Sequence, residues 1–74
     1  MGQMAVMDGT GDTKVIWDPT NQDEVDAAKA TFNSLRKKKY KAFAVLKDGE
    51  PGTEITEFDP TAGKIIMVPP MAGG

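Results

Sequence analysis

Neither cysteine nor histidine occurs among the 74 residues. The commonest metal ligand and the commonest general base near neutral pH are therefore both missing. With cysteine absent, a disulfide framework, a thiolate metal site and a nucleophilic thiol are excluded. Catalysis by this chain alone would have to run on carboxylates, lysine, tyrosine or hydroxyls, and no enzymatic activity of its own is expected. Three groupings could still do chemistry. Asp23, Glu24 and Asp26 form an acidic cluster from which a metal site or an acid/base pair is formally available. Arg36, Lys37, Lys38, Lys39 and Lys41 put five cations in six positions, a density that could contact phosphates. The third is the terminal carboxylate that follows Met71, Ala72, Gly73 and Gly74. A carboxylate is a poor electrophile until its oxygen is converted into a better leaving group. With no Cβ at Gly73 or Gly74, a partner can then approach the carbonyl from several sides. Asp8 and Asp12 flank glycines but lack the later ligands of a calcium loop.

The elements that would position these groups follow from periodicity and turn chemistry. Asn21 can cap a helix, Glu24 stands three places on, and the acidic cluster falls in the first turn, where the helix dipole favours negative charge. Over 22–38 the apolar residues Val25, Ala28, Phe32 and Leu35 make one stripe for packing on a sheet. The basic run closes that helix, where the dipole favours cations, though no glycine supplies the usual cap. Both charged clusters thus have an explanation in helix electrostatics, which argues against metal at the first and nucleic acid at the second.

Around the helix lie short strands. Residues 13–17 put Val15 and Trp17 on one face and Lys14 and Ile16 on the other. Trp17 could bind a ligand, but an aromatic in a strand beside a turn belongs to a core. Residues 40–47 form a strand with Ala42 and Ala44 between larger neighbours, and 54–58 a more polar edge strand. Residues 4–7 allow either a strand, joined through 8–12 to the next, or a frayed tail. Residues 48–52 and 59–63 are turns. Trp17-Asp18-Pro19-Thr20 and Phe58-Asp59-Pro60-Thr61 echo each other, too short for a repeat and best read as one aromatic-then-turn solution used twice.

The last strand, 65–68, is apolar on both alternating faces, as a strand in the middle of a sheet should be. Pro69 and Pro70 end it, because they cannot donate to a ladder and hold the chain near polyproline II. Six residues beyond Val68 reach at most roughly 20 Å, enough to thread a partner's channel while the folded body docks outside.

Size and composition set the frame. At 39% hydrophobic the chain supports one small domain: a folded body over 13–68, an extended tail over 69–74, and residues 1–12 as strand-and-turn or disordered tail. A formal net charge of −2 implies no general attraction to nucleic acid or anionic membrane. No apolar run approaches a membrane span and no leader opens the chain, so a cytoplasmic location is expected.

The element order predicts an α+β fold of the β-grasp type: a mixed four- to five-stranded sheet with one helix on one face, the last strand returning to the centre beside and parallel to the first. The ending Val68-Pro69-Pro70-Met71-Ala72-Gly73-Gly74 resembles the tail of the small subunit of molybdopterin synthase. More loosely it resembles other ubiquitin-like sulfur carriers and protein modifiers. The approach to the last strand, Ala62-Gly63-Lys64, and the basic helix end depart from that pattern. The resemblance implies a carrier with no bound cofactor. Its Gly74 carboxylate, with Gly73 beside it, would be adenylated by a partner of the ubiquitin-activating or molybdopterin-adenylyltransferase type, using ATP and Mg. The product would become a thiocarboxylate for sulfur delivery to an acceptor enzyme, or a thioester passed to a target lysine. Pro69, Pro70, Met71 and Ala72 would position that diglycine terminus. The alternative is a small protein-binding or assembly module that uses its sheet face, with the tail incidental.

Overall fold

The computed structural model describes residues 1–8, 11–45 and 52–70. They form a small α+β domain in the order β1 (Gly2–Asp8), β2 (Gly11–Trp17), α1 (Gln22–Lys37), β3 (Lys41–Val45), β4 (Thr53–Ile55) and β5 (Lys64–Val68). The five strands make one mixed sheet in the order β2-β1-β5-β3-β4. β1 runs antiparallel to β2 and parallel to β5, and β5 runs antiparallel to β3. The first and last strands therefore meet near the centre of the sheet, side by side and parallel, as the element order predicts. Residues 2–8, for which the sequence allowed a strand or a tail, are a strand bonded on both sides. Among the described residues no helix is long and apolar enough to cross a membrane.

The helix starts and stops where local chemistry dictates. The Asn21 side chain accepts the backbone N–H groups of Asp23 and Glu24 at 3.1 and 3.3 Å. Glu24 does not close a reciprocal box on Asn21. Its carboxylate accepts the Asp18 N–H at 2.9 Å instead, because the Asn21 N–H is already bonded to the Asp18 carbonyl. Val25, Ala28 and Phe32 carry the apolar stripe into the core, with Leu35 packed at its margin. They lie against Met4, Val6, Ala42, Ala44, Ile65 and Met67, one alternating set from β1, β3 and β5. The small alanines on β3 leave room for the helix, while Phe43 and Val45 take the opposite, half-covered face.

Two expectations need correction. β5 is fully buried only at Ile65 and Met67. Ile66 and Val68 are half-buried, because a single helix covers one face of the sheet. The edge strand β4 ends at Ile55, not at 58. Phe58 leaves the ladder to stack edge-on against Trp17 and Phe32, with ring centroids 5.0 and 5.8 Å apart, and that packing pulls the chain inward. Trp17 is a core residue with no exposed surface, and its indole Nε1 donates to the Pro60 carbonyl at 3.0 Å.

The paired tetrapeptides are the same turn twice. Asp18 Oδ1 accepts the N–H and hydroxyl of Thr20 at 2.9 and 2.7 Å, and Asp59 Oδ1 accepts those of Thr61 at 2.9 and 2.6 Å. The carbonyls of Asp18 and Asp59 then accept Asn21 N–H and Ala62 N–H. The second turn delivers Ala62 into the core, a burial that its turn-like sequence context concealed.

Candidate functional site

Two residues of the basic run, Lys39 and Lys41, lie beside Pro69 and Pro70 where β5 leaves the sheet, whereas the acidic cluster stands at the start of the helix. Val68 is the last residue in the ladder and lies opposite Lys41 on β3. Both flanks of β5 are bonded: Ile65, Ile66 and Met67 pair with Met4, Ala5 and Val6, and the Gly63 carbonyl accepts Gln3 N–H at 3.2 Å. The strand is therefore a rigid post. Pro69 is half-buried and Pro70 exposed, and neither continues the ladder. Met71, Ala72, Gly73 and Gly74, to which the sequence assigns the reactive terminus and part of its positioning, lie outside the described residues. So do Leu46, Lys47 and most of the turn expected over 48–52.

Beside this exit lies a cavity of about 430 Å³ lined by Lys39, Lys41, Phe43, Val68, Pro69 and Pro70. Phe43 and Val68 come from paired strands and the prolines have fixed φ, so its apolar walls are held before anything binds. Lys39 and Lys41 are exposed. Lys39 reaches the cavity through an unusual backbone. The helix ends in a Schellman motif: Lys39 N–H bonds to the Arg36 carbonyl at 3.0 Å and Tyr40 N–H to the Leu35 carbonyl at 3.1 Å. That motif requires a left-handed residue, usually glycine, and here Lys39 takes it with φ 72°. Arg36 reinforces the cap by donating from Nη1 to the Tyr40 carbonyl at 2.9 Å, so it belongs to the fold and is only half-exposed. The sequence identified the basic run but not the role of Lys39, Phe43 or Lys41 in a common wall. The signal was there in part, since a helix end without glycine must put another residue in the left-handed position.

The acidic cluster is accounted for locally. Glu24 bonds to Asp18 N–H and to Asn21 Nδ2, and Asp26 accepts Gln22 Nε2 at 2.7 Å. Among the described residues no group of three or more Asp and Glu side chains is arranged to hold a metal ion. The backbone N–H and hydroxyl of Thr20 hold the Asp18 carboxyl below the usual carboxylate range. A second, more open cavity of about 500 Å³ runs along residues 54–60 and is lined by Glu54, Glu57 and Asp59 beside Ile55 and Phe58.

The fold and this surface define a small α+β domain with a five-stranded mixed sheet, one helix, and an apolar, lysine-rimmed cavity at the end of its central strand. Compared with protein-family models, curated proteins and solved structures, the chain matches none.

Proposed function

We propose that this protein is a ubiquitin-like carrier of the β-grasp type whose Gly74 carboxylate is activated by a partner enzyme. The observation that carries the proposal is the strand order, in which β5 lies parallel to β1 inside the sheet, is bonded on both flanks, and ends at Val68 against Pro69-Pro70. An end held in this way projects a stiff segment outward, and Gly73-Gly74 follows it within a few residues. The lack of cysteine and histidine is consistent with chemistry supplied by someone else's active site.

In this reading the Gly74 carboxylate, whether genetic terminus or exposed by cleavage, attacks the α-phosphorus of Mg-bound ATP and releases pyrophosphate. Hydrosulfide then displaces AMP to leave a thiocarboxylate, or a partner thiol displaces it to leave a thioester for transfer to lysine. The test is ATP–pyrophosphate exchange with the adenylating enzymes of the native host. Exchange is expected with the full chain and lost on deletion of Gly73-Gly74, while the circular dichroism spectrum stays the same. Absence of exchange with every such enzyme sinks the proposal. Mass spectrometry of the protein from its host separates the two outcomes, through sulfur in place of oxygen at Gly74 or an isopeptide bond to lysine.

A second reading draws on the open sheet face, where Ile16 and Met7 are 57% and 45% exposed. A protein-binding or assembly module using that face would keep its partner when the tail is removed.

A further inference from the structure

We infer that the cavity at the exit of β5 is a docking site for a partner protein segment that presents carboxylates on either side of a large apolar side chain. The inference deepens the carrier reading by naming what the partner offers, and rests on that reading only for who the partner is.

Two independent features lead to it. The first is shape and polarity. Phe43, Val68, Pro69 and Pro70 form an apolar, concave wall around about 430 Å³, room for one bulky side chain and its neighbours. Strand pairing of Lys41 with Val68 and of Phe43 with Ile66 fixes that wall, so an incoming side chain meets a surface already in place. The second is charge. The chain carries a formal −2, yet five of its nine basic residues fall within 36–41, and two of those five, Lys39 and Lys41, line the cavity. A local positive rim on an acidic protein selects for a negatively charged partner and orients it.

Carboxylates with an apolar anchor satisfy both features. A nucleic acid would use the lysines but not a small apolar hollow, since bases stack on exposed aromatic faces along an extended basic track. An anionic bilayer would need apolar side chains that protrude, and here they line a recess.

The test is an NMR titration of the isotopically labelled full chain. The probe is an acetylated and amidated pentapeptide with the order glutamate, aspartate, phenylalanine, aspartate, glutamate. Parallel arms use the glutamine/asparagine version of the peptide, polyuridylate, and phosphatidylserine vesicles. Saturable shifts are expected at the amides of Lys39, Lys41, Phe43 and Val68 with the acidic peptide. Binding should fall by at least about fivefold with the neutral peptide and by a similar factor in the Lys39→Gly/Lys41→Gln double variant. An unchanged spectrum away from the cavity shows that the double variant is folded and that loss of folding does not account for a loss of binding. The inference is overturned by no saturable shift at these residues, by equal binding of the neutral peptide, or by tighter binding of polyuridylate or vesicles at the same residues. Adenylation measured alongside keeps the two proposals apart. Peptide binding without adenylation leaves the docking site standing and removes the carrier, and adenylation without peptide binding does the reverse.

Discussion

Replacing Lys39 by glycine should stabilise this protein, and replacing its neighbour Lys38 by glycine should do the opposite. Lys39 is the left-handed residue of the Schellman motif, with φ 72°, while Lys38 sits at φ −85° and ψ 12°, where a side chain is tolerated. A left-handed backbone costs an L-residue about 1–2 kcal/mol. Glycine removes that cost but brings about 0.5–1 kcal/mol of extra chain entropy to the unfolded state. The balance for Lys39→Gly is a gain of about 0.5–1 kcal/mol. For a domain of this size that corresponds to a rise in melting temperature of roughly 3–6 °C. At Lys38 there is no strain to relieve, so only the entropy term acts and a fall of similar size is expected. Both side chains are exposed, so lost packing enters neither number. Thermal unfolding followed by far-UV circular dichroism measures both variants. Shifts of the same sign, or no gain at Lys39, would refute the assignment of the cap. A Lys39→Gly chain that is more stable yet binds the acidic peptide less well would separate the Lys39 charge's part in recognition from any part in stability.

Other expectations follow from the core and its turns. A Cβ at Gly2 would overlap Cε2 and Cζ2 of the Trp17 ring, which cannot retreat from its contacts with Phe58 and Pro60, so Gly2→Ala should cost about 1–3 kcal/mol in urea denaturation. A cost below a few tenths would mean that the ring is free to move. Trp17→Phe keeps most of the apolar volume but leaves the Pro60 carbonyl without the indole donor, at about 1–3 kcal/mol, and should loosen the second Asp-Pro-Thr turn first, seen as faster amide exchange at Ala62. Asp18 makes one defined contribution to the acid dependence. Its folded carboxyl titrates below the ordinary 3.8, so the stability it contributes is present above the unfolded value and is lost as pH falls through the lowered one. The stability difference between the parent and Asp18→Asn should therefore shrink on acidification through that window. A difference independent of pH would show that the Thr20 bonds do not favour the charged form.

Much of the molecule was legible because its determinants are local. The Asn21 cap, the Val25-Ala28-Phe32 stripe and the alternation of Val15 and Trp17 against Lys14 and Ile16 each depend on residues within a turn or a strand of one another. The repeated aromatic-Asp-Pro-Thr string predicted the same turn twice, and both copies close through the same aspartate and threonine oxygens. Phe58 was less legible. Its place in an apparent strand was overridden by packing against Trp17 and Phe32, which no local pattern encodes.

What the sequence determined by itself was the inventory and the local geometry: no thiol or imidazole, one capped helix, short strands, and a final apolar strand stopped by two prolines. What only the tertiary structure decided was which of these meet. Trp17 finds the Pro60 carbonyl across 43 positions, and the pairing of Lys41 with Val68 brings the end of the helix to the place where the chain leaves the sheet. Side chains scattered over residues 39–70 become one lysine-rimmed apolar wall only through that register. Long-range strand pairing is chosen by how whole faces bury together, so the wall could not be read from any one segment.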